Sequence, residues 1–349
     1  MPILKPHEQL AGEAFYERLQ NAGVICSDHV PEGALTLRVG LMNLMPGEVM
    51  PQTEIDWLGK LALLRDDVYI EAVPIKFDND RRERPGASRE KVLESYVSLS
   101  EVKKDGLDAL IVTGDNLELK KHRGFANRRK PLPFEDITYY DQLNDLIEWA
   151  DGNVGSTVYS CLASHFALNS LYGLRRKLRR QKAFGVFRQS VNHTEHSALT
   201  EGLRRTMLMP HSRWGQVPIT AIQRKVRHSK EMGKDDFKIL TASRDVGWGI
   251  ASRRNHTLNT QGNTGFDLFI QGHPEYSRTA LHGEFWRDVF AKVRQLKEIP
   301  KNYYRSAPLD KEESVSQIDD SWTMDSDILF RNWLKLQVAY KYGEAATGE

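Results

Sequence analysis

Cysteine is scarce in this chain: 349 residues hold two, Cys26 and Cys161. Two are too few for a disulfide framework or a cysteine-rich zinc site, so no metal is expected. Net charge is also missing, because 49 Lys and Arg face 47 Asp and Glu, a formal total of +2. That balance argues against a chain whose main task is to coat nucleic acid or an anionic membrane. No stretch approaches the ~18–20 apolar residues needed to cross a bilayer. The opening residues, Met1 to Glu8, lack the charged-then-apolar layout of a secretory signal. Internal repeats and low-complexity tracts are absent as well. These absences predict a cytoplasmic protein with free thiols and no nucleic-acid or membrane partner. What is present, 40% apolar and 28% charged residues, is the balance of a soluble globular protein of enzyme size and excludes a disordered or fibrous chain.

Residues 1–34 mix charge, Pro and Gly and read as an N-terminal arm with a short helix around Glu13–Asn21. From Leu35 the pattern sharpens. Leu37, Val39 and Leu41 open a strand that stops at Asn43-Leu44-Met45-Pro46-Gly47. Ile55, Leu58, Leu61 and Leu64 then paint one helical face after Thr53. Val68–Val73 and Asp108–Val112 are further strands, the latter ending at Thr113-Gly114. A basic insertion, Leu119 to Pro133, is expected to be a surface loop. Tyr140, Leu143, Leu146, Ile147 and Ala150 mark an amphipathic helix, and Val154 to Ser160 a buried strand. This alternation predicts an α/β fold with a doubly wound, mostly parallel sheet, whose ligands bind at the carboxyl ends of its strands.

The second half is less regular. Phe237–Leu240 and Leu268–Gln271 read as strands and Thr279 to Lys297 as a helix. Residues 300–325 read as an extended tail, and Ile328 to Tyr340 as a closing helix. One main domain over residues 35–299, with the arm and the tail packed on it, is the expected organisation.

Cys161 follows the strand-like Ser156–Ser160 and precedes a helix-like run ending at Tyr172-Gly173. A cysteine at such a turn has its sulfur near the first N–H groups of the helix, whose partial positive charge favours the nucleophilic thiolate. The plainer alternative is a small buried hydrophobe. His273, in Gly272-His273-Pro274-Glu275-Tyr276, lies just past another strand end, on the edge where Cys161 is expected. Its imidazole can accept the thiol proton, and Glu275 can hold the other ring nitrogen, which makes a Cys–His–Glu triad. Against it stands a solvent-facing turn with an incidental histidine.

With these residues the sequence resembles the homoserine O-acyltransferase family of methionine biosynthesis, which comprises homoserine O-succinyltransferases and O-acetyltransferases. The matching pieces are Asn43-Leu44-Met45-Pro46, Thr113-Gly114, Cys161 with its helix, Lys182 to Val186, Met209-Pro210-His211-Ser212-Arg213, Gly272 to Tyr276, Glu284 to Asp288 and Asn332-Trp333-Leu334. They run in the family's order over residues ~35–340. The resemblance implies a fold like class I glutamine amidotransferases and no bound cofactor. It also implies acetyl-CoA or succinyl-CoA as co-substrate, L-homoserine as acceptor, and a possible homodimer. Cys161 would carry the acyl group as a thioester, with His273 as base and Glu275 supporting it. Lys182, Ser212 and Arg287 match substrate-binding positions, and a guanidinium such as Arg287 suits an α-carboxylate. Without the motif, Arg287 would be an exposed helix charge, and Lys182 part of the solvated basic run that begins at Arg175.

Two departures from the family pattern stand out. Gly47-Glu48 replaces a lysine that often follows Asn-Leu-Met-Pro, leaving backbone N–H groups of Gly47 or Leu162 as oxyanion donors. Thr113-Gly114 is followed by Asp115-Asn116. Aligned without a gap, Glu118 falls where the family has Glu with acetyl-CoA and Gly with succinyl-CoA. A carboxylate there would repel a succinyl group, so the chain leans to acetyl.

Rival readings are glutamine amide hydrolysis, acylation of serine, and a binding protein that kept the fold without the activity. The amidotransferase Gly-x-Cys-x-Gly pattern is broken here by Tyr159 and Ala163, which disfavours the first. Serine is one methylene shorter than homoserine, a difference worth only ~1–3 kcal/mol.

Overall fold

Among the described residues, ten strands between Leu35 and Ile270 pair with two short N-terminal ones into one twelve-stranded sheet that carries every strand end of interest at one edge. In this computed structural model the described residues are 2–4, 13–63, 67–79, 92–115, 119–120, 130–131, 133–193, 197–231, 237–290 and 298–343. The centre of the sheet is parallel. Thr264–Ile270 lies beside Ser156–Ser160, then Ala109–Val112, Leu35–Met42 and Val68–Lys76. Strands buried on both faces read as continuous apolar runs, and Ala109–Val112 and Ser156–Ser160 are buried at every residue. Register sets where the chain leaves each strand. Val112 pairs with both Met42 and Tyr159, and Ser160 pairs with Ile270. Asn43, Thr113, Cys161 and Gln271 therefore leave the sheet at nearly one level, as the ligand-binding edge of an α/β sheet requires.

Helix Met50–Ala62 begins earlier than the Thr53 boundary suggests, with Pro51 in its first turn, where its missing N–H costs nothing. The N-terminal segment extends the sheet. Ile3–Leu4 pairs in parallel with both Val68–Lys76 and Cys26–Ser27, and helix Glu13–Asn21 buries Phe15, Tyr16 and Leu19.

The other half of the sheet is antiparallel and was not legible as such. Lys177–Val191 and Thr206–Gln216 form a long hairpin, and Lys238–Ser243 and Gly247–Leu258 join it to Thr264–Ile270. The basic run from Arg175 is thus not a plain solvated face. From Lys177 it is an irregular strand start, with a register shift between Leu178 and Ala183, in which Arg179 bonds Gln216 and the Asp245 carbonyl. Residues 300–325 are no loose tail either. Lys301 exchanges backbone hydrogen bonds with Phe184 and Val186, and Tyr303, Ile318 and Trp322 pack with Phe184 and Phe285.

The closing helix spans Trp322–Tyr342, six residues longer at its start than its apolar periodicity shows. Those residues include buried Asp325, which accepts from Arg204 Nη2 at 3.0 Å and the Leu208 N–H at 2.9 Å. The expected 119–133 loop contributes a two-stranded ladder, Leu119–Lys120 with Lys130–Pro131, and most of its remainder lies outside the described residues. Helix Ala280–Phe290 ends where residues 291–297 leave the described set. Among the described residues, no helix is long and apolar enough to cross a membrane.

Candidate active site

Cys161 occupies a sharp strand-to-helix turn, between Ser156–Ser160 and Leu162–Tyr172. Both flanking elements are buried where they meet, so the chain must reverse within one residue. Cys161 does this at φ 49°, ψ −112°, a region that side-chain-bearing residues rarely enter. Hydrogen bonds hold the turn. The Cys161 N–H donates to Ile270 O at 2.7 Å, and the Cys161 carbonyl accepts from the Ser164 N–H and Oγ at 3.1 and 2.7 Å. Cys161 thereby occupies the N-cap position of the helix, next to first-turn N–H groups that have no intrahelical acceptor. Gly114 closes the other side. A Cβ added to it would stand 3.0 Å from Cys161 Cβ and 3.5 Å from the Leu162 nitrogen, so only glycine lets this backbone so close. Cys161 is 5% exposed.

Gln271 and Gly272 carry the chain from the adjacent strand to His273. The His273 N–H donates to the Pro210 carbonyl at 2.8 Å, which pins this loop to the strand Thr206–Gln216. The imidazole lies beside the Cys161 side chain, close enough for its charge to act on the ring, Glu275 Oε1 lies 2.8 Å from Nδ1, and the Tyr276 ring stacks on it at 4.2 Å. Burial alone would push the His273 pKa down. The negative charges of Cys161 and Glu275, with the hydrogen bond to Glu275, outweigh it and raise the pKa well above the ordinary value. The arrangement can therefore hold a thiolate beside an imidazolium and pass one proton between them.

A second cluster adjoins the first. Ser212, paired with Phe184 across the hairpin, donates through Oγ to Glu284 Oε2. The Tyr276 hydroxyl donates to Glu284 Oε1 at 2.8 Å. Lys182 Nζ is 3.7 Å from Glu284 Oε2 and 4.0 Å from the centre of the Phe184 ring. Arg287, one turn along from Glu284, gives Nε and Nη2 to Asp288 Oδ1 and is 54% exposed. Nη1 and the rest of Nη2 remain for an end-on carboxylate. Burial works to raise the Glu284 pKa, but Lys182, the Ser212 and Tyr276 hydroxyls and Arg287 together bring it below the ordinary value. A carboxylate so held can receive an ammonium group.

The structure thus brings Cys161, His273 and Glu275 together and gathers Lys182 and Ser212 around Glu284, while Arg287, one turn along, bonds Asp288 instead. Leu162 contributes its backbone nitrogen beside Cys161. Gly47 is buried in the turn before helix Met50–Ala62. Glu118 lies outside the described residues. Glu284, Tyr276 and Gly114 were not singled out from sequence. Each sits inside a motif that was, and Glu284 lies three residues before Arg287, one helical turn away on the same face. No group of His, Cys, Asp and Glu suited to a metal ion occurs among the described residues.

A family model described as homoserine O-succinyltransferase matches residues 27–343. A homoserine O-succinyltransferase of Pseudoalteromonas translucida is 31% identical over 303 residues, 86% of this chain and 82% of the relative. A homoserine O-acetyltransferase of Azobacteroides pseudotrichonymphae is 28% identical over 303 residues, with the same two shares. Among solved structures, a glutamine amidotransferase of Thermotoga maritima is similar at a TM-score of 0.43 and 10% identity, over 86% of this chain and 98% of that one.

Proposed function

Since the chain belongs to the homoserine O-succinyltransferase family, we propose that it transfers an acyl group from acyl-CoA to the hydroxyl of L-homoserine through a thioester on Cys161. The family's place is L-methionine biosynthesis, where acylation turns a poor leaving group into a good one. The cytoplasm is the setting we propose.

In the first half-reaction His273 holds the proton of Cys161, and the thiolate attacks the thioester carbonyl of acyl-CoA. The backbone N–H groups of Leu162 and Gly47 are the candidate donors to the oxyanion. Collapse expels the CoA thiolate, which takes the proton from His273. In the second half-reaction His273 removes the proton of the homoserine hydroxyl. The alkoxide attacks the Cys161 thioester, and O-acyl-homoserine leaves as the thiolate reforms beside the imidazolium. Glu275 holds the imidazole through both steps. Glu284 receives the α-ammonium of homoserine, Arg287 its α-carboxylate, and Lys182 and Ser212 fix Glu284 and line the site.

We assign acetyl as the preferred acyl group. Asp115 and Glu118 put two acids within four residues after Gly114, and Asp115 is buried one residue from the backbone that touches Cys161. A second carboxylate on the acyl chain is disfavoured there.

The meeting of Cys161, His273 and Glu275 at one sheet edge carries this reading. Intact-mass spectrometry after mixing the protein with acetyl-CoA alone is expected to show one acetyl adduct, absent in Cys161→Ala. Turnover by Cys161→Ala at the wild-type rate would sink the mechanism. In a crossed assay, acetyl-CoA should exceed succinyl-CoA in kcat/KM at least tenfold with homoserine, while glutamine releases no ammonia.

A further inference from the structure

Cys161 and His273 are 112 residues apart in sequence, so their separation is set by whatever ties their two backbones together. One tie is the Cys161 N–H to Ile270 O bond. A second runs through side chains that neither half-reaction uses. His165, one turn along the helix from Cys161, lies 2.8 Å by Nε2 from Gln271 Oε1. Gln271 stands two residues before His273 and is itself fixed by two further hydrogen bonds. Its Nε2 donates to Trp248 O at 2.8 Å and its N–H donates to Gly249 O at 2.8 Å. His165, Gln271 and His211 are all fully buried.

We infer that the buried His165–Gln271 hydrogen bond positions the nucleophile against the base, making both residues positioning residues of the proposed transfer. The inference rests on the acyltransfer reading above and deepens it.

The chemistry of the pair fits that task. The Gln271 amide nitrogen is committed to Trp248, so its oxygen faces His165, and the histidine must carry its proton on Nε2. Burial, followed by the nearby Arg213 charge, lowers the His165 pKa to about 3, so the ring donates as a neutral group at every working pH. His211 is likewise lowered well below the usual range, first by burial and then by Arg213 and His273. A lysine or arginine in place of His165 would add a buried charge to the helix that follows Cys161, whereas the neutral imidazole adds none. Removing one partner leaves a buried polar atom without its bond, and the strand end can then move relative to the helix.

His165→Leu and Gln271→Met remove the bond from opposite sides, so one folded variant suffices as a test. The measurements are the rate of Cys161 alkylation by iodoacetamide at pH 7 without substrates, the His273 titration by NMR, and steady-state kinetics. The expected result is at least a tenfold loss in alkylation rate and in kcat, with KM changed less than threefold. The His273 midpoint should fall, because contact with the Cys161 charge helps to raise it. His165→Gln, which restores an N–H donor of similar reach, should recover most of the rate.

Alkylation, kcat and the His273 titration all unchanged in a folded variant would overturn the inference. So would a loss that merely tracks the unfolded fraction. His273→Ala separates the triad from the tie that positions it. If it leaves alkylation unchanged, the triad itself fails; if it slows alkylation while His165→Leu does not, only the positioning role fails.

Discussion

At the scale of single residues, the proposed chemistry is marked in the sequence where it is confined to a short stretch of chain. Cys161 announced itself by the switch from strand to helix around it, and His273 with Glu275 by a two-residue spacing that lets a carboxylate reach Nδ1. Glu284 was not readable, because its meaning comes from three partners on other elements or turns: Ser212, Tyr276 and Lys182. Its proposed part as the ammonium site makes a sharp prediction. Glu284→Gln keeps shape and loses charge, so KM for homoserine should rise by one to two orders of magnitude. The half-reaction with acyl-CoA, read as the adduct by mass, should stay within threefold of wild type. A buried charge-assisted contact is worth about 1.5–3 kcal/mol, which sets that range. An unchanged homoserine KM would remove Glu284 from the substrate site.

At the scale of elements, the parallel strands were legible because burial on both faces leaves near-continuous apolar runs, as in Ala109–Val112. The antiparallel hairpin Lys177–Val191 with Thr206–Gln216 was not. Its first turns carry Arg and Lys on an exposed edge, and a register shift breaks the alternation that marks a strand. That hairpin nonetheless supports His273, the proposed base. Pro210 accepts from the His273 N–H, and Gly272 lies so close that an added Cβ would stand 2.8 Å from the Pro210 carbonyl and press on Met209. Gly272→Ala must then push the base loop off the strand. The expected outcome is a stability loss of about 1–3 kcal/mol in urea denaturation. A drop in kcat larger than the same loss of stability produces elsewhere in the core should accompany it. Wild-type kcat in this variant would mean that the hairpin does not set the position of His273.

At the scale of the whole molecule, the sheet edge gathers more acid than the proposed reaction uses, and pH should expose this. Asp56, on the helix after the Asn43–Pro46 loop, is buried and bonded to Gln52 at 2.9 Å. Ser277, two residues beyond Glu275, lies close enough to act on its carboxyl group as well. Burial, with a smaller push from Glu275, raises its pKa from 3.8 to about 6 against the opposing hydrogen bonds. The folded protein therefore binds this proton more tightly than the unfolded chain does. The stabilisation is fully present below pH ~4, is lost as pH rises through about 6, and above that leaves a buried carboxylate uncompensated. A shift of that size corresponds to about 3 kcal/mol. Asp56→Asn mimics the protonated acid, so it should match wild type in urea denaturation near pH 4 and exceed it by about 2–3 kcal/mol at pH 8. Equal stability at both pH values would show that Asp56 keeps an ordinary pKa. The sequence could not reveal this residue, since Asp56 stands among Glu54, Ile55 and Trp57 like any helix acid. Its exceptional state arises only when the helix is laid against a loop more than 200 residues away.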